Sequence, residues 1–155
     1  MNEQPNQAGE QNQHQLALQK IYLQDASLEI PNAPAIFMER WEPKIQVEFD
    51  SKTESMGQDN YLVKLRVTVT ASLQEKPAFL VEAQQAGIFT IKGFSDAELG
   101  QILGAYCPNA LHPFVREVVS DIVTRAGFPQ LLLPPVNFDA IYAQQIKQQQ
   151  RQTVQ

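Results

Sequence analysis

From Tyr61 to Leu73 apolar and polar side chains alternate, Leu62 alone excepted. Tyr61, Val63, Leu65, Val67, Val69, Ala71 and Leu73 fall on one side, and Lys64, Arg66, Thr68, Thr70 and Ser72 on the other. A period of two is that of an antiparallel strand with one buried face. After a turn at Gln74 to Pro77, the stretch Ala78 to Ile91 repeats it, setting Phe79, Val81, Ala83, Gln85, Gly87 and Phe89 against Leu80, Glu82, Gln84 and Ile88. Strands this long present more apolar area than the few helices after them can cover. Some sheet face, edge or groove is expected to remain for sister subunits or for an extended apolar ligand.

The same pattern predicts a first strand over Leu16 to Ile30, with Leu16, Leu18, Tyr22, Ala26, Leu28 and Ile30 on one face and Ile21, Leu23, Asp25, Ser27 and Glu29 on the other. Pro31 and Pro34 end it and open an extended loop, Ala33 to Pro43, that carries Ile36, Phe37, Met38 and Trp41. A second strand is expected over Lys44 to Asp50, followed by a polar loop from Ser51 to Asn60.

Past Gly93 the period changes. Ser95 with Glu98 three residues on is a capping box, so a helix is predicted over about Asp96 to Tyr106, broken or kinked at Pro108 and Asn109. Leu111, Phe114, Val115, Val118, Val119, Ile122 and Val123 then follow helical spacing until Gly127. An apolar loop, Pro129 to Pro135, leads to a last helix capped by Asn137, from Phe138 to about Gln149. The predicted class is α+β: a four-stranded antiparallel sheet with helices packed on one side. Residues 1–15 and 148–155 are Gln-rich and read as disordered tails around a single domain, 16–147.

Composition narrows the function. A net charge of −5, with 12 Lys and Arg that form no run, argues against nucleic acid and for a basic partner surface. One cysteine, Cys107, excludes an intrachain disulfide or Cys-rich zinc site and fits a reducing compartment. The start has no basic and apolar signal pattern, and no apolar run reaches membrane-spanning length, so a cytoplasmic protein is expected. Cys107 has only His14 and His112 as bases to draw on, and these three residues make no metal set. Gly87, Gly93, Gly100 and Gly104 lack phosphate-loop spacing. The Asp25 and Glu29 carboxylates could serve a small lyase or isomerase, but no oxyanion-binding group accompanies them. The expectation is a non-enzyme without a cofactor.

Several segments occur in an order that resembles the SecB family of protein-export chaperones: IPNAPAIF, RVTVTASL, EAQQAGIF, LGAYCPNALHPFVRE (Leu103 to Glu117) and FPQLLLPPVNFDAIY (Phe128 to Tyr142). The resemblance covers roughly residues 16–146. It implies a cytoplasmic homotetramer, a dimer of dimers, that holds unfolded preproteins without nucleotide or metal and delivers them to the SecA motor at the Sec translocon. A general or toxin-antitoxin-associated holdase of the same fold, without SecA delivery, is the alternative. The chain departs from the family in ending with Gln, Lys and Arg rather than an acidic tail, and in having Ala86 where a second glycine often precedes Gly87.

Three sets of site residues follow. Asp25 and Glu29 lie four apart on one strand face, and Glu82 is the sole charge among Leu80, Glu82 and Gln84. Such carboxylates either protect a sheet from aggregation or attract a basic module, and the resemblance implies that Asp25, Glu29, Leu80 and Glu82 receive the basic, zinc-bearing end of SecA. The client groove is expected from Phe37, Trp41, Ile45, Val47, Phe49, Tyr61, Val63, Leu65, Phe138 and Ile141, any one of which could equally be core. For the tetramer contact the resemblance favours Val81, Ala83 and Gln85, which on pattern alone could face their own helices, together with Leu99, Ile102, Leu103 and Tyr106.

Overall fold

The structure, a computed structural model, describes residues 13–153. Four strands, β1 (Gln15–Glu29), β2 (Lys44–Gly57), β3 (Asn60–Leu73) and β4 (Lys76–Lys92), form one antiparallel sheet in the order β1-β4-β3-β2. The strands with the cleanest alternation, β3 and β4, are its centre. Val67 stands opposite Ala83 and Val69 opposite Val81, and these side chains are fully buried.

One face of the sheet carries the helices. A helical rod runs through α1 (Asp96–Gln101), a wide turn at Ile102–Tyr106 and α2 (Cys107–Arg125). Leu111, Val115, Val119 and Val123, four residues apart, bury one stripe of α2 over β3 and β4. The capping box is present: Glu98 N–H donates to Ser95 Oγ at 3.2 Å and Ser95 N–H to Glu98 Oε1 at 3.3 Å. The Ser95 hydroxyl and backbone bonds hold the Glu98 carboxyl below its ordinary pKa. Gly127, at φ +94°, ends α2 as expected. The last helix, α3 (Phe138–Thr153), starts where Asn137 Oδ1 accepts from Ala140 N–H at 3.0 Å.

The chain departs from the sequence expectations at four places, each for a physical reason. Register shifts in β1 at Leu18/Lys20 and Leu23/Asp25 each insert one residue and reverse the alternation. Leu16, Leu18, Ile21, Leu23, Ala26 and Leu28 therefore stand opposite the helix-facing residues of β4, and Tyr22 turns to the other side. Ser51 to Met56, predicted as loop, continues β2 as a hairpin with β3; both its faces are exposed, so nothing selects an apolar alternation. The helix is not broken at Pro108: the widened turn, in which Cys107 N–H donates five residues back to the Ile102 carbonyl, accommodates the missing donor. Finally, α3 extends to Thr153, so most of the expected C-terminal tail is helical. Of the remaining tail expectations, residues 1–12 and 154–155 lie outside the described residues.

Candidate functional site

On the helix side, α2 covers the centre of the sheet and leaves both edges. At the β2 edge, Ile45, Val47 and Phe49 share a face and are only partly covered. They stand opposite the fully buried Ala71, Val69 and Val67 of β3; further along the same row Leu65 and Val63, opposite Ser51 and Thr53, are fully buried too, and Tyr61 is half-buried. The loop after β1 makes one wall. Phe37 stacks on Phe128 at 4.8 Å, and Trp41 lies 5.2 Å from Phe128 and 6.3 Å from Phe79. The other wall is the start of α3, where Phe138 packs edge-on to Phe49 at 6.1 Å. A pocket of about 250 Å³ opens there between Phe49, Leu65, Leu103, Phe138, Ile141 and Tyr142.

The ten expected groove residues thus collect along one edge but differ in access. Phe37, Ile45 and Ile141 are exposed; Trp41, Val47, Phe49 and Tyr61 are half-buried; Val63, Leu65 and Phe138 are support rather than contact surface. Sequence reasoning missed Phe128, which holds the aromatic wall together, and Tyr142, which rests on Gly100 and Gly104. A Cβ at Gly104 would collide with the Tyr142 ring, so the glycine spacing was the available signal. Gln101 Nε2 donates to Asp139 Oδ1 at 2.8 Å and further ties α3 to the rod.

On the opposite, helix-free face, Glu29 stands opposite Leu80, Ser27 opposite Glu82 and Asp25 opposite Gln84. Asp25, Glu29, Leu80 and Glu82 are therefore neighbours on two adjacent strands. The acidic surface also continues across the sheet, which the sequence reading did not foresee. Arg66 of β3 reaches Asp50 Oδ2 at 3.2 Å and Glu82 Oε1 at 3.8 Å, and Glu48 lies across Thr68 from Glu82. Exposed pairs of this kind contribute roughly 0 to 1 kcal/mol, so they shape potential more than stability.

The β1 edge differs again. Leu18 (43% exposed), Leu23 (47%) and Leu28 (37%) stand uncovered on the helix side. An open trough of about 890 Å³ separates β1 from α2, lined by Ile21, Leu23, Gln85, Phe114, Val118 and Leu132 among others. Val81 and Ala83 are fully buried and Gln85 nearly so. They face their own α2, and another subunit would sense Val81 and Ala83 only through that helix. Tyrosine at position 81 would overpack the chain's own core before it tested any contact between chains. Leu99, Ile102 and Leu103 are half-buried against the same core, whereas Tyr106 is exposed. Sequence reasoning did not assign the β1 leucines to a contact, because the bulges hide their common face.

Cys107 is fully buried, and burial pushes its thiol up to about 12, so it stays protonated at neutral pH and is no nucleophile. Among the described residues no group of three or more His, Cys, Asp or Glu is placed to hold a metal ion, and no helix is long and apolar enough to cross a membrane.

Comparison with known proteins converges on one family. Residues 9–149 match the family model of SecB, preprotein translocase subunit SecB. The chain is 50% identical over 143 residues to the protein-export protein SecB of Methylococcus capsulatus, covering 92% of each chain. It is 53% identical over 141 residues to the protein of the same name from Psychrobacter arcticus, covering 91% of this chain and 95% of that one. Among solved structures, the SecB-like chaperone Rv1957 of Mycobacterium tuberculosis, in complex with a ChAD peptide from the Rv1956 HigA1 antitoxin, superposes with a TM-score of 0.65. That match covers 78% of this chain and 90% of the other at 18% identity, and so concerns the fold.

Proposed function

The chain belongs to the SecB family, chaperones of preprotein export, and on that premise we propose that it grips unfolded preproteins along the β2 edge, in the cytoplasm, without catalysis of its own. The observation that carries this reading is the row Ile45, Val47 and Phe49, left open between the Phe37–Trp41–Phe128 wall and the Phe138–Ile141 wall. Burying one large apolar side chain contributes about 1.5 to 3 kcal/mol, and ordering an unfolded segment offsets much of it. A single groove therefore holds a segment weakly and releases it readily. Several grooves on one assembly would engage a long chain together and raise avidity by roughly 10²-fold or more.

Self-association into a tetramer, a dimer of dimers, is supported by β1: its outer edge lacks a strand partner among the described residues, which also leave its leucine row partly exposed and the adjoining trough open. Delivery to SecA is supported by the helix-free face, where Asp25, Glu29 and Glu82 with Leu80 present a flat acidic surface suited to a basic module. Binding there leaves the groove, on the other side, free to hand its cargo on.

The test is binding of a reduced, unfolded preprotein without nucleotide. Phe49→Ser/Ile141→Ser is expected to weaken binding about tenfold or more while Asp25→Asn/Glu29→Gln leaves it unchanged, and the converse holds for binding of SecA. Undiminished preprotein binding by the first variant contradicts the groove assignment. Failure to bind SecA at low salt with normal preprotein binding would favour a holdase without that delivery step.

A further inference from the structure

His112 is the one buried histidine of the described residues, 8% exposed, and nothing in the proposed function uses it. It projects from α2 into the end of the groove, with its ring 5.6 Å from Phe49 of β2 and 5.9 Å from Phe138 of α3. The Pro134 carbonyl, in the segment between α2 and α3, lies on one side of the imidazole and favours its charged form. Nε2 is buried with no partner among the described residues. Three separate pieces of the groove thus meet on one titratable ring.

We propose that His112 is a proton-sensitive latch, whose protonation loosens Leu131 to Phe138 from α2 and so opens the Phe138 end of the groove. A proton on Nε2 would sit buried without an acceptor, which the closed arrangement penalises. The charged groups around the ring offer no compensation. On its own helix Arg116 repels a second positive charge. On β2, Glu48 and Asp50 alternate to the far face of the sheet, where Asp50 is paired with Arg66. On α3, Asp139 is engaged by Gln101. Lifting the segment lets water reach Nε2 and removes the penalty.

Burial first, and Arg116 second, hold the imidazole below its ordinary pKa, against the Pro134 carbonyl, which raises it. A base whose affinity for protons is lowered in the closed form favours closure at high pH; that contribution starts to fade as pH falls below the open-form value, near 6.5, and is gone once pH has fallen through the lower closed-form value. One unit below that value the open form gains by at most about tenfold, the factor one proton can supply.

The experiment is amide exchange of Leu131, Leu132, Leu133, Val136, Asn137 and Phe138 at pH 7.5 and 5.5, corrected for intrinsic rates, in the full chain and in His112→Phe, which keeps an apolar ring. Wild type is expected to open up to about tenfold more often at pH 5.5, and His112→Phe to show no such change. An NMR titration, with His14→Asn to assign the resonance, should place His112 below free imidazole. Equal pH responses in the two proteins, or titration of His112 at or above the free value, would overturn the latch. The latch rests on the groove reading only for its effect on cargo. Both measurements are made without cargo, so their failure and a failure of preprotein binding are separable.

Discussion

The centre of the sheet and its β2 edge are built from the same kind of strand and put it to different use. In β3 and β4 the helix-facing residues Val63 to Val69 and Phe79 to Ala83 are fully buried, under α2 and, at Phe79, under Trp41 and Phe128. In β2, Ile45, Val47 and Phe49 repeat the alternation, but the helical rod crosses β3 and β4 and meets this row at Phe49, where His112 lies 5.6 Å away, so the row stays only partly covered. What separates core from binding surface here is cover, not chemistry. A domain whose helices are too few for its sheet retains apolar area as a permanent feature of its fold.

Substitutions can break this contrast. Leu111→Ala, in the middle of the α2 stripe, should cost roughly 2 to 5 kcal/mol, read as a lower urea midpoint, because the cavity forms under full cover. Ile45→Ser, on the same kind of strand at the edge, should move the midpoint far less; equal losses would erase the distinction. Gly104→Ala should cost roughly 1 to 3 kcal/mol by pushing Tyr142 off the rod, and should expose the α3 end of the groove to amide exchange while α2 stays protected. Leu18→Ser/Leu23→Ser should weaken self-association by about tenfold or more in light scattering, with unchanged far-UV circular dichroism, since nearly half of each leucine stays exposed in the described chain. The smallest effect is expected from Arg66→Gln. Releasing Glu82 and Asp50 from their shared guanidinium should strengthen binding of a basic partner by a few-fold at low salt, and the gain should fade as salt rises.

The central strands, the capping box and the α2 stripe were legible because local pattern and burial agree there. β1 was legible as a strand but not in its faces, because two inserted residues change parity without any signature in composition. The far half of β2 was illegible for the opposite reason: exposed on both sides, Ser51 to Met56 carries no pattern to read. The groove members were found as a set, whereas their division into floor and rim depends on the path of α2, which no local spacing encodes. Val81, Ala83 and Gln85 show the same limit, since alternation places them on a face without saying which chain covers that face. The acidic residues of β1 and β4 were legible, but their continuation through Arg66 to Asp50 and Glu48 required strand order.

The most direct measurement is hydrogen exchange of the chain alone and bound to a reduced, unfolded preprotein, mapped by residue. Capture at the uncovered β2 edge predicts new protection at Ile36 to Trp41, Ile45 to Phe49 and Leu131 to Ile141, with exchange across Ser27, Glu82 and Thr68 unchanged. Protection confined to the helix-free face, with the β2 edge exchanging as freely as before, would contradict it.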